Sequence, residues 1–327
     1  MAKRRISQQQ SRRISAAQKR RLENTGDLSG ELNGGLVIAR YGQRALVEDS
    51  LSGEHRQCFI RPHIDNVVAG DRVAWQTSEH EGVIAAVEAR HTVLTRANPR
   101  GDLKPIAANV DVMLIVIAVV PPPHTNLIDR YLVAAEHAGI RPVLVVNKGD
   151  LDTERNALGQ LARTYENLGY SVTHTDRESD PDARQLHPLM AEQTAVLVGQ
   201  SGVGKSSLVK RLLPSADSRS EDIRVGALSL GADKGRHTTT TAELYHLPNG
   251  AKLIDSPGIR EFQLAHLPAA EIANAFIEFR PFLGQCRFRD CRHEHETDCA
   301  ILKALDGGMI SRERFDSFRL ITEQQAL

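Results

Sequence analysis

An eight-residue segment in the second half of the chain has the composition of a phosphate-binding loop. Gly199-Gln200-Ser201-Gly202-Val203-Gly204-Lys205-Ser206 matches G-x-x-x-x-G-K-[ST] without a mismatch. It lies between a predicted strand, Thr194–Val198, and a helical stretch, Ser207–Leu213, a context that a chance glycine-rich turn would lack. The glycines let main-chain N–H groups converge on phosphate oxygens at a helix N-terminus. In such loops the lysine (Lys205) reaches the β- and γ-phosphates and the serine hydroxyl (Ser206) ligates Mg²⁺.

A second segment predicts which base is bound. Asn147-Lys148-Gly149-Asp150 matches N-K-x-D and follows a predicted buried strand, Pro142–Val146. The Asp150 carboxylate can accept hydrogen bonds from two donors on one edge of guanine, a donor pair that adenine does not present. Alone, this motif is commonly a turn before a helix. Together with the phosphate loop it predicts a guanine nucleotide.

Two further segments have the features of nucleotide switches. Asp255-Ser256-Pro257-Gly258 matches D-x-x-G, in which the aspartate holds Mg²⁺ through water and the Gly258 N–H meets the γ-phosphate. A threonine-rich loop, Gly235–Thr241, precedes it. A threonine ligates Mg²⁺ there only when the γ-phosphate is present, and among four consecutive threonines we expect Thr238, with Thr239 as the second choice.

The same loop supplies a candidate catalytic residue. His237 carries an imidazole that can accept from or donate to a water molecule, although a solvent-facing loop histidine is the alternative. Ile259 follows the D-x-x-G segment and has no group that orients water. We therefore expect slow hydrolysis by the isolated protein.

The order of these motifs is permuted. The guanine-reading motif comes first, followed by the phosphate loop and the switches, whereas an ordinary GTPase begins with the phosphate loop. A circular permutation preserves the site because each motif stays at its own strand end. It also connects the second switch directly to the C-terminal region.

Three of the four cysteines are clustered near the C-terminus. With one histidine they form a complete tetrahedral Zn²⁺ set without an open position: Cys286, Cys291, His293 and Cys299. Unrelated cytosolic thiols and ligation by His295 are the alternatives. The loop also carries Arg287, Arg289, Arg292 and Phe288, which suit either contact with RNA or a solvated surface.

Charge and hydropathy predict the wider organisation. The net charge is zero, but eight basic residues and no acidic one lie between Met1 and Leu22, so residues 1–33 are predicted to be a disordered arm that either binds nucleic acid or aids solubility. Residues 34–96 contain about five short predicted strands, which favours an OB-type barrel over an SH3-like one. The longest apolar run, Val112–Val120, is too short to span a bilayer. We therefore expect a cytosolic protein without a membrane partner.

Strands that alternate with helices over residues 97–266 predict an α/β doubly wound domain, and residues 267–327 are helical and polar around the cysteine cluster. With the four nucleotide motifs, the Ala69-Gly70-Asp71-Arg72-Val73 turn and the zinc ligands, the chain resembles the RsgA (YjeQ) family of small ribosomal subunit biogenesis GTPases. The resemblance covers nearly everything after the arm. It implies an OB barrel, a permuted GTPase domain and a helical zinc domain. It further implies binding to the small ribosomal subunit and its rRNA, and GTP hydrolysis that the subunit stimulates.

The family's guanine-supporting Ser-Ala motif is not matched by a Ser-Ala pair in Ser171–Thr175, where Thr173 is the candidate for its place. A non-enzymatic RNA-binding switch that barely hydrolyses GTP is the main rival function, and a zinc-dependent nucleic-acid enzyme is a third that no ligand set supports. A monomer that binds GTP and GDP is the expected form.

Overall fold

The computed structural model describes residues 31–64, 66–77, 81–97, 102–149, 157–213, 242–255, 264 and 266–323. Residues 1–30 of the predicted basic arm, Asp150, the threonine loop and Gly258 lie outside the described residues. Among the helices of the described part, none is long and apolar enough to cross a membrane.

The N-terminal region is a closed five-stranded barrel. Its strands run in the order β1-β2-β3-β5-β4, the pairing of β1 with β4 closes the barrel, and β3 lies parallel to β5. This is the OB arrangement, so the prediction of an OB-type barrel is confirmed. Alternating side chains fill its interior, including Val37, Val47 and Trp75. The strands are β1 (Asn33–Tyr41), β2 (Arg44–Asp49), β3 (His55–Ile60), β4 (Arg72–Thr77) and β5 (Gly82–Val87).

A mixed sheet with helices on both faces follows the barrel. A hairpin that the strand pattern did not predict, β6 (Val93–Ala97) and β7 (Leu103–Ala108), precedes it. The parallel strands lie in the order β10-β9-β8-β11-β13, and β12 pairs antiparallel to β13. These strands are β8 (Val112–Ala118), β9 (Arg141–Asn147), β10 (Ser171–Thr175), β11 (Thr194–Val198), β12 (Glu243–His246) and β13 (Lys252–Asp255).

Both faces of this sheet are buried, which explains the continuous apolar sequence of β8. On one face, Met113 and Ile115 pack in the core that includes α1 (Thr125–Ala138) and α2 (Ala157–Asn167). On the other face, Leu114 and Val116 pack against the short helix α3 (His187–Met190) and against α4 (Lys205–Leu212). The predicted α/β fold is therefore confirmed.

The barrel and the α/β sheet are continuous. Strand β1 changes register between Val37 and Ala39, so its first half pairs with β4 while Ala39 pairs with Glu243 of β12. Within the described residues, strands β1–β5 and β8–β13 thus form one eleven-stranded sheet, and β6 and β7 pair separately. The domain limits given above stay predictions.

The C-terminal region packs on α1 through an aromatic core and a buried ion cluster. It contains α5 (Ala269–Ala275), a 3₁₀ turn (Ile277–Phe282), α6 (Ala300–Asp306) and α7 (Arg312–Glu323). Arg314 of α7 donates to Asp129 of α1 and, at 2.6 Å, to Glu278 of the turn. All three side chains are less than a tenth exposed. Burial disfavours the charged guanidinium, but the two carboxylates outweigh it and raise the pKa of Arg314.

Candidate nucleotide site and metal cluster

Three of the predicted nucleotide motifs lie at the carboxyl ends of neighbouring strands. Asn147 is the last residue of β9, Gly199 follows the end of β11, and Asp255 is the last residue of β13. In the sheet order, only β8 separates β9 from β11, and β11 is the direct neighbour of β13. Ligands of open α/β sheets bind at this edge. The chain therefore brings the motifs together despite their permuted order.

The phosphate loop requires its glycines for two separate reasons. A Cβ on Gly199 would lie 2.3 Å from the Val116 main-chain oxygen, and its φ is +139°. A Cβ on Gly204 would lie 2.4 Å from Nδ2 of Asn147, and its φ is +101°. Both positions exclude a larger residue, because the loop passes directly over β8 and over the guanine-reading segment.

The side chain of Lys205 folds back over the start of the phosphate loop. Lys205 is the first residue of α4, and its Nζ donates to the main-chain oxygens of Gly199 and Gln200, each at 2.7 Å. The ammonium group therefore sits at the N-terminus of α4, where the helix dipole also favours an anion. Ser206 and Ser207 follow in the first turn of α4, and both are exposed, whereas Val203 is buried.

The guanine-reading segment is tied to the phosphate loop by two side chains. Nδ2 of Asn147 donates to the Val203 oxygen at 2.8 Å. Nζ of Lys148 bridges the Gly202 oxygen at 2.8 Å and the Val120 oxygen at 2.9 Å. Asn147 is only 5% exposed, so this contact is shielded from competing water. These hydrogen bonds hold the guanine-reading segment against the phosphate loop, so the position of the base contacts depends on the position of the phosphate contacts.

The structure adds one residue that the sequence reading missed. Thr175, the last residue of β10, donates from Oγ1 to Oδ1 of Asn147 at 3.1 Å and is 2% exposed. It fixes which way the Asn147 amide points. Its place at a strand end beside β9 is a signal in the sequence, although Thr173 was the candidate there.

The four predicted metal ligands meet in one cluster. Sγ of Cys286, Cys291 and Cys299 and Nδ1 of His293 all lie within 4.8 Å of one another. Nδ1 of His293 is 3.6, 3.4 and 3.3 Å from the three sulfurs in that order. His295, the competing ligand in the sequence, does not belong to the cluster. Burial lowers the pKa of His293, which favours the neutral imidazole that ligates metal. The cluster could hold a metal ion.

The comparisons with known proteins agree with this geometry. A family model described as RsgA GTPase matches residues 87–265. A small ribosomal subunit biogenesis GTPase RsgA of Azotobacter vinelandii is 49% identical, over 98% of this chain and 97% of that protein. One of Hahella chejuensis is 46% identical, over 99% of this chain and 97% of that protein.

Solved structures show the same architecture. YjeQ from Thermotoga maritima superposes with a TM-score of 0.72 and 27% identity, covering 90% of this chain and 99% of that one. YloQ, described as a circularly permuted GTPase, superposes with a TM-score of 0.68 and 27% identity, covering 90% of this chain and 96% of that one.

The fold and the site define a circularly permuted GTPase of the phosphate-loop class. The guanine-reading segment precedes the phosphate loop in the chain, yet both occupy one edge of the sheet. The chain belongs to the RsgA GTPase family, as the sequence motifs predicted.

Proposed function

We propose that this protein hydrolyses GTP to GDP and phosphate on the small ribosomal subunit, during late maturation of that subunit. The observation that carries the proposal is the likeness to full-length relatives named for this role, at 46–49% identity over 97% of their length. Membership of a GTPase family favours hydrolysis over the rival reading, an RNA-binding switch that barely turns over GTP.

Within the site, each motif has a distinct task. Main-chain N–H groups of Gly199–Ser207 and the ammonium of Lys205 bind the phosphates and stabilise charge that develops during transfer. Asp150 reads guanine, and Asn147 and Lys148 hold its segment against the loop. The exposed Ser206 hydroxyl, Thr238 and, through water, Asp255 would hold Mg²⁺, which would neutralise phosphate charge.

The attacking water is positioned by the switch segments. Gly258 donates its N–H to the γ-phosphate, and His237 orients the water. Both residues lie outside the described part of the chain, so these roles rest on the motifs. The subunit accelerates hydrolysis by fixing the two switches in their productive arrangement.

A zinc ion is the metal that best suits the cysteine cluster. Four ligands about 2.3 Å from a tetrahedral centre lie about 3.8 Å apart. The Cys286–Cys299 sulfur separation is 3.8 Å, and His293 lies 3.3–3.6 Å from each sulfur. Three thiolates and one imidazole leave no open position, so the ion would be structural and would cross-link the loop that precedes α6.

The flanking regions carry the contact with rRNA. The barrel and the C-terminal region lie on opposite sides of the GTPase segment in sequence, and OB barrels bind oligonucleotides through one strand face. Four domains are proposed, with limits 1–33, 34–96, 97–266 and 267–327. The protein acts as a monomer in the cytoplasm, where its subunit partner is found.

Co-sedimentation with separated ribosomal subunits tests this function. We expect the full chain to pellet with small subunits in the presence of a non-hydrolysable GTP analogue and to be released with GDP. Large subunits are the matched control and should not carry the protein down. Equal recovery with both subunits, or with neither, would contradict the proposal.

A further inference from the structure

The barrel contacts the nucleotide-binding sheet at the hairpin β12–β13 and at the segment before β8, where Nδ2 of Asn109 donates to the Gly70 oxygen at 2.8 Å. Ile38 and Ala69 of the barrel belong to the same buried core as Leu244 of β12 and Ile254 of β13. The packing is close, since a Cβ on Gly70 would lie 2.2 Å from the Ala108 oxygen and 3.1 Å from Cδ1 of Ile254. Any shift of this hairpin must therefore move the barrel or open a cavity between them.

A polar contact crosses the same junction at its rim. Oε2 of Glu48, on β2, accepts from Nε2 of His246, on β12, at 2.7 Å. The same oxygen lies 3.3 Å from Nε2 of His55, the neighbouring barrel residue on β3. Burial opposes ionisation of Glu48, but its hydrogen bonds to His246 and His55 outweigh burial and lower its pKa to about 2. The carboxylate is thus charged throughout the physiological range.

The β12–β13 hairpin, which packs against the barrel, lies between the two predicted switches in the sequence. Strand β12 begins two residues after Thr241, the end of the threonine loop, and β13 ends at Asp255 of the D-x-x-G segment. The register pairs Glu243 directly with Asp255. Nucleotide-dependent changes at either switch therefore act on the two ends of one short hairpin.

We infer that Glu48 is a positioning residue that couples the barrel to the nucleotide state through His246. In the GTP state the two switches fix the position of the β12–β13 hairpin. The Glu48–His246 hydrogen bond then fixes β1 and β2 relative to that hairpin. Because coupling between two sites is reciprocal, a ligand that fixes the barrel also biases the switches. The inference goes beyond the proposed function and requires no particular barrel ligand.

Hydrogen–deuterium exchange of the full chain, without any partner, tests the inference. Peptides covering residues 33–49 are compared in the presence of GDP and of a non-hydrolysable GTP analogue. In the wild type we expect their exchange rates to differ by about fivefold or more between the two nucleotides. In Glu48→Ala and in His246→Ala this difference should fall to less than about twofold, and the double variant should match either single one.

Matched controls separate coupling from mere barrel stability. His55→Ala removes the second histidine that contacts the Glu48 carboxylate but leaves the bond to His246 of β12. It should therefore retain the wild-type difference in exchange rate between the two nucleotides. Glu54→Ala removes an exposed carboxylate of the same hairpin loop and should do likewise. Peptides covering 242–255 should respond to nucleotide in every variant, which shows that binding persists.

The inference is overturned if residues 33–49 of the wild type exchange equally with both nucleotides. It is also overturned if Glu48→Ala and His246→Ala keep the full difference. If Glu48→Ala unfolds the barrel, seen as loss of protection with GDP, His246→Ala decides alone, because its side chain lies outside the barrel. Ribosomal subunits take no part, so failure here is distinct from failure of the proposed function.

Discussion

The Asn147 side-chain amide donates a 2.8 Å hydrogen bond to the main-chain oxygen of Val203, a residue 56 positions later in the chain. This bond joins the guanine-reading segment to the phosphate loop. In this permuted chain the guanine-reading segment precedes the phosphate loop, the reverse of the usual order. Contacts such as this one hold the two segments in the relative positions that nucleotide binding requires. Thr175 and Gly204 enclose the same amide.

Asn147→Ala should therefore weaken phosphate binding as well as base binding. The variant leaves the buried Val203 oxygen without its donor, which costs about 1–3 kcal/mol. We expect GDP and GTP affinities to fall together by about tenfold, measured by titration with a fluorescent guanine nucleotide. Asn274→Ala, at an exposed position of α5, is the control. Unchanged affinity in Asn147→Ala would show that the bond does not organise the loop.

Asp150→Asn should abolish the preference for guanine. The substitution replaces a paired acceptor by a group with one acceptor and one donor, so one guanine donor loses its partner. We expect the ratio of GTP to ATP affinity to fall by about a hundredfold, with the phosphate contacts retained. Competition by ATP against a fluorescent guanine nucleotide measures this ratio. Equal competition by ATP and GTP against the wild type would contradict guanine specificity itself.

Metal removal should unfold the C-terminal region and spare the nucleotide site. We expect about one zinc per chain in the purified protein and a clear loss in Cys286→Ser. After strong chelation, the helices α6 and α7 should lose hydrogen-exchange protection while GDP affinity stays close to its original value. Cys58→Ser, in the barrel core, is the control for loss of a thiol. A metal content well below one per chain would refute the assignment.

Arg314→Met should release the C-terminal region from α1. The change leaves the buried carboxylates of Asp129 and Glu278 without their cation, and breaking a buried pair in this way costs about 3–5 kcal/mol. Hydrogen exchange of peptides covering 312–323 reports the loss. Arg319→Met removes an exposed ion pair with Glu323 one turn away, and should cost less than about 0.5 kcal/mol. Similar protection in the two variants would mean that the buried cluster does not secure the junction.

The signals that predict the candidate site are local in the sequence. The phosphate loop, the guanine-reading segment and the zinc ligands each combine residue types whose spacing alone indicates their chemistry. The continuous apolar run Val112–Val120 similarly indicated a buried strand, and β8 covers Val112–Ala118 of it. The fold class followed from their alternation with helices.

What the sequence missed depends on pairing over long distances. Strand β12 is four residues long and mostly polar, and only its position between β1 and β13 makes it a strand. Arg314 and Asp129 lie 185 residues apart, and no local pattern distinguishes them from solvated charges. The Glu48–His246 contact, across 198 residues, was hidden for the same reason.

Steady-state GTP turnover with and without purified small ribosomal subunits is the decisive measurement of activation by the subunit. The isolated protein should be slow, because Ile259 offers no group to orient water, and saturating subunits should raise its rate by about tenfold or more. His237→Ala should bind GTP normally yet lose this stimulation. Wild-type turnover by His237→Ala on subunits would remove His237 from the mechanism. If subunits do not raise the rate of the wild-type protein, it is not a ribosome-activated GTPase.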